Sequence, residues 1–136
     1  MTRMIFVNLA VQDLAAATRV YEAFGCKQNL QFSGETASSM VWSDTINFHL
    51  LTRDYFGSFT PKPLADAHTA TEVLIAINFD SRGAVDAAVD AVAAAGGKAD
   101  PRPPVDMGWM YNRAFEDLDG HIFEATWMDM SAFPGA

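Results

Sequence analysis

The sequence predicts an α+β protein built from two tandem βαβββ modules whose curved sheets enclose a cleft. Three observations predict it. Each half opens with a strand that runs into a capped helix, each helix is followed by three extended segments, and an aperiodic stretch, 53–71, separates the halves. A chain of 136 residues is one domain's worth of protein. It divides into a first module over about 4–52, the connecting loop 53–71, a second module over about 72–129 and a tail, 130–136.

In the first module, MIFVNLAV (4–11) reads as a strand with Phe6, Asn8 and Ala10 on one face. Asp13 is placed to cap a helix in which Leu14, Ala17, Val20, Tyr21 and Phe24 recur at helical spacing, and Gly25 ends it. The extended segments KQNLQFS, SSMVWS and TINFHLLT follow, the last with Asn47, His49 and Leu51 sharing a face. Gly57, Pro61 and Pro63 mark the loop.

The second module repeats the order. TEVLIAINFD is a strand; Ser81 opens an Ala-rich helix that Gly96 and Gly97 close; KADPRPP, GWMYNRAFED and HIFEATWMD are extended around the turn DLDG. By alternation Trp109, Tyr111 and Arg113 share one face of the penultimate strand, a wall suited to a planar or anionic ligand or to core packing.

Composition excludes several classes of function. Half of the residues are hydrophobic and 19% are charged, which excludes disorder, and charges interrupt every long apolar run, which excludes a membrane-spanning helix. A net charge of −8 with no local cluster of Lys or Arg opposes nucleic acid and anionic membranes. One cysteine, Cys26, gives no disulfide framework, and the opening residues lack a signal-peptide pattern, so a cytoplasmic location is expected. Motifs for acyl transfer, nucleotide hydrolysis, dinucleotide binding and dithiol chemistry are missing.

NLAVQDLAAATRVYEAFG and FEDLDGHIFEATWMD resemble the first strand–helix unit and the last hairpin of the vicinal-oxygen-chelate superfamily, which includes glyoxalase I, bleomycin-resistance proteins, fosfomycin-resistance enzymes and extradiol dioxygenases. The resemblance spans roughly Met4 to Asp129 and looks closest to the uncharacterised lactoylglutathione-lyase-like members. Its most specific element is Asp117-Leu118-Asp119-Gly120-His121-Ile122-Phe123-Glu124.

The resemblance implies a divalent ion in the cleft, held by up to four side chains from the first and last strands of both modules. Carried over position by position, those are Phe6, His49, Leu74 and Glu124, of which only His49 and Glu124 can bind a metal. Asn8 and Glu72 are the substitutes a register slip would offer. Two ligands imply no cofactor or a weakly bound divalent metal. His49 and Glu124 then read as a metal-free catalytic pair, in a ligand cleft lined by Phe6, Asn8, Leu74, Trp109, Tyr111 and Arg113.

Two functions remain open. One is a small-molecule binder or metal-free enzyme similar to bleomycin-resistance proteins; the other is a metal-dependent enzyme similar to glyoxalase I (lactoylglutathione lyase) or a dioxygenase, with a displaced metal site. The resemblance also implies a homodimer, with the tail over part of the cleft. His121, three residues from Glu124 on a strand, faces the other way and reads as structural; His68 in the loop and Cys26 at a helix C-terminus carry little functional signal.

Overall fold

The computed structural model describes residues 1–135. Strand β1 (Ile5–Val11) leads into helix α1 (Leu14–Ala23), then β2 (Lys27–Asn29), β3 (Ala37–Val41) and β4 (Ile46–Thr52). After the short helix α2 (Arg53–Gly57) and the rest of the linker come β5 (Leu74–Asn78), helix α3 (Arg82–Ala94), β6 (Lys98–Ala99), β7 (Val105–Asp106), β8 (Met110–Glu116) and β9 (Ile122–Met128). The expected α+β fold of two βαβββ units is what the chain adopts.

The sheets repeat one topology. The first runs β1-β4-β3-β2 and the second β5-β9-β8-β6, with β7 on β8. In each, the first and last strands of the module pair in parallel, β1 with β4 and β5 with β9, and the other neighbours are antiparallel. A parallel pair requires a crossover, and the helix with the hairpin strands supplies it.

Local chemistry sets the helix limits. Asp13 accepts from the Ala16 amide at 3.0 Å and Ser81 from the Ala84 amide at 3.0 Å, each cap stabilising its helix by about 1 kcal/mol. Gly25, at φ +124°, turns the chain out of α1, and the Cys26 amide closes on the Tyr21 carbonyl.

Two extended segments come out shorter than the sequence suggests. In KQNLQFS the strand stops at Asn29, whose side chain accepts from the Gln31 amide and starts a 3₁₀ turn over Leu30–Phe32. KADPRPP contributes only Lys98 and Ala99, because Asp100 takes φ +52° and Pro101 cannot donate to a ladder. The linker, expected to be aperiodic, opens with α2.

One core serves both modules. Tyr21 of α1 and Phe24 at its C-cap, Phe48 of β4, Phe115 of β8 and Phe123 of β9 are all buried in a single cluster. The Phe48 and Phe123 rings meet edge to face at 5.3 Å, so the helix-side faces of the two sheets are turned toward each other. Burial in this cluster also pushes the Cys26 thiol up to about 12, which leaves it a packing residue.

Candidate functional site

Strand alternation fixes where His49 and Glu124 point. His49 follows Phe48 and Glu124 follows Phe123, and both phenylalanines face the shared core. Each polar side chain therefore leaves its sheet on the outer face, and the two project away from one another within a chain. A single chain carries two half-sites on opposite surfaces instead of one enclosed cleft, a correction to the sequence expectation that follows from the modules packing helix side to helix side.

The first half-site lies on β1 and β4. Register places Asn8 beside His49 and Phe6 beside Asn47, and the Phe6 ring tilts against the imidazole at 5.2 Å. Phe6 is 49% exposed. Partial burial lowers the His49 pKa, favouring a neutral ring able to accept a proton or a hydrogen bond.

The second half-site lies on β5, β8 and β9. Ala76 and Ala114 flank Glu124 in the sheet, and Leu74 is 56% exposed nearby on β5. The Glu124 carboxylate accepts from Arg102 at 2.7 Å. The same guanidinium nitrogen also donates to Asn112, and Asn112 in turn donates to Thr126 at 2.7 Å. Arg102 was missed in the sequence; it is the lone cation between prolines in the stretch that crosses the outer face of the sheet.

Tyr111 and Arg113 do not line this face, and their expected place in the cleft is corrected. They share the phase of Phe115, which is in the core, so they point toward α3. The Tyr111 hydroxyl donates to Asp86 at 2.7 Å. Arg113 donates to Asp86 at 2.9 Å and, through two nitrogens, to Asp100 at 3.0 and 2.7 Å. A guanidinium tolerates this position because α3 presents Asp86 and Asp90 four residues apart on one face. Trp109, just ahead of β8, packs edge to face on Phe133 of the tail at 4.6 Å.

The donor set does not fit a family-type metal centre within one chain. Phe6 and Leu74 offer no ligand atom, His49 and Glu124 diverge, and Glu124 is already paired with Arg102. No three His, Cys, Asp or Glu side chains among the described residues converge to hold an ion. The substitutes Asn8 and Glu72 come together instead in the lining of a cavity under the linker.

His121 behaves as its alternation implied. Its Nδ1 lies 2.7 Å from Asp117 Oδ2, which also accepts from the Tyr21 hydroxyl at 2.7 Å. Burial alone would lower the His121 pKa, but the hydrogen bond and charge of Asp117 outweigh it and the net shift is upward. A raised histidine contributes its full stabilisation below the ordinary value near 6.5 and loses it as pH rises through the folded value. The stability gap between the native protein and His121→Asn is therefore expected to narrow as pH rises above the ordinary histidine value near 6.5, read from urea midpoints. A constant gap would show that His121 packs without titrating against Asp117.

The sequence model of the Glyoxalase/Bleomycin resistance protein/Dioxygenase superfamily matches residues 3–125. The chain belongs to that superfamily. No curated protein matches it. Among solved structures, hypothetical protein SA1046 from S. aureus is 27% identical with a TM-score of 0.78, covering 93% of this chain and 95% of that one. A glyoxalase-related enzyme from Fulvimarina pelagi is 19% identical with a TM-score of 0.77, covering 93% and 88%. The fosfomycin resistance protein FosX from Mesorhizobium loti is 20% identical with a TM-score of 0.64, covering 96% and 93%. No helix is long and apolar enough to cross a membrane among the described residues.

Proposed function

We propose that the protein binds or acts on a small molecule without a standard metal centre, in a cleft that two copies of the chain build together. The observation that carries this reading is the Arg102–Glu124 pair: a guanidinium satisfies the carboxylate that would otherwise ligate an ion. A side chain supplies the positive charge at this position, with Asn112 and Thr126 completing the hydrogen bonding.

The dimer follows from the half-sites. His49 with Phe6, and Glu124 with Leu74, occupy outward faces that only a second copy can bring opposite each other. The exposed apolar side chains Phe6 and Leu74 would lose water in such a contact. In the assembled cleft the neutral His49 imidazole is the proton acceptor, and Arg102 and Asn112 orient a polar group on the ligand.

The test is elemental analysis of protein purified without a His-tag, alongside its mass in solution by light scattering. A dimer without stoichiometric metal is the expected result. One equivalent of a transition metal, lost in Glu124→Ala, would overturn the metal-free reading and favour a lyase similar to glyoxalase I, with ligands contributed across the interface. A monomer mass would overturn the shared cleft.

A further inference from the structure

A cavity of about 150 Å³ lies between the two modules, roofed by the linker and separate from both half-sites' catalytic candidates. Its walls are mostly apolar, with Leu9, Phe56, Leu64 and Ile75 among them, and its polar lining includes Asn8, Glu72 and His121. The cavity opens to solvent on one side, where Ala70, Thr71 and Glu72 are exposed, and an apolar space of this size accommodates a single benzene-sized ring.

The roof is fixed in place. A Cβ at Gly120 would come within 2.7 Å of the Ala67 carbonyl carbon and the His68 amide nitrogen, so the linker backbone rests directly on the turn before β9. Asp66 holds the same stretch through its side chain to the His68 amide and its carbonyl to the Thr69 and Ala70 amides. The space is thus preformed, which removes the ordering cost of binding.

His121 gives the cavity one directed polar group. Asp117, 1% exposed at its side chain, takes Nδ1 and fixes the ring orientation, while Tyr21 holds Asp117 from the other side. Nε2 has no partner among the described residues and is left for a ligand. Above its raised folded pKa the ring is neutral, Nδ1–H is donated to the Asp117 carboxylate, and Nε2 is an acceptor matched by a hydroxyl donor. Glu72 on the same lining opposes a second negative charge.

We infer that this cavity is a second ligand site, for a neutral molecule of about one ring bearing a hydroxyl, with the ring against Leu9, Leu64 and Ile75 and the hydroxyl on His121 Nε2. It shares Asn8 with the first half-site but neither His49 nor Glu124, so it stands whatever the outcome at the shared cleft.

The experiment, run above the folded His121 pKa so that the ring is neutral, is titration of the full chain with phenol, and with toluene as the same ring without the hydroxyl, followed in ¹H–¹⁵N correlation spectra. Phenol is expected to shift the amides of Ala67, Ala70, Ile75 and His121, and to bind about three- to tenfold tighter than toluene, the equivalent of one net hydrogen bond. In His121→Phe the preference for phenol is expected to vanish. Ala70→Phe, at an exposed linker position that lines the cavity, is expected to abolish both titrations. Phenol shifts that fall elsewhere, that persist in Ala70→Phe, or that keep their advantage over toluene in His121→Phe would overturn the assignment.

Discussion

Phe123→Ala is expected to cost about 3–5 kcal/mol and to lower the stability of both modules together. Phe123 is fully buried, stacked on Phe115 at 5.2 Å and in edge or tilted contact with Tyr21, Phe24 and Phe48 at 5.3–5.6 Å. Those last three partners come from α1, its C-cap and β4, so truncating a second-module side chain opens a void against first-module rings. The loss is a large share of an ordinary domain's total of about 5–15 kcal/mol. Urea unfolding followed by fluorescence and by far-ultraviolet circular dichroism checks it, since Trp42 of the first module packs on Phe79 of the second and Trp109 and Trp127 lie in the second. Coincident transitions at a lower midpoint are the expected result. A biphasic curve, with the first module surviving, would mean that the shared core does not couple the modules.

That core explains why the fold was legible and the site only in part. Helical periodicity, two side-chain caps and the placement of Gly25 are local signals, and local hydrogen bonds enforce them, so strand and helix order could be read directly. Alternation likewise grouped His49 with Asn47 and Leu51, and Tyr111 with Arg113, correctly. What alternation cannot supply is which of a strand's two faces meets the other module. For β8 the answer depends on Phe115 meeting Phe24 of the first module, and for Arg113 on acidic residues of α3 that lie far away in sequence. Arg102 carried no periodic signal at all: it acts from an irregular stretch, where only the tertiary path puts its guanidinium on Glu124. The divergence of His49 and Glu124 belongs to the same class, a consequence of packing between modules and not of either strand's own pattern.

The second large effect is expected at Asp117, a buried carboxylate whose two oxygens take four hydrogen bonds. Oδ1 accepts from the amides of Asp119 and His121, both at 2.9 Å; Oδ2 faces the Tyr21 hydroxyl and His121 Nδ1, both at 2.7 Å. Asp117→Ala leaves the Tyr21 hydroxyl without a partner in a fully buried position and frees the turn that starts β9, at an expected cost of about 3–5 kcal/mol. Tyr21→Phe removes only one of the four bonds and is expected to cost about 1 kcal/mol. Burial, followed by the nearby Asp117, already raises the Tyr21 pKa, so its hydroxyl stays protonated as a donor over the ordinary pH range. Because the two groups satisfy each other, the double variant is expected to be less destabilised than the sum of the singles. Strict additivity, or an Asp117→Ala cost below about 1 kcal/mol, would mean that water replaces the carboxylate and that the turn is held by the Gly120 contact with the linker instead.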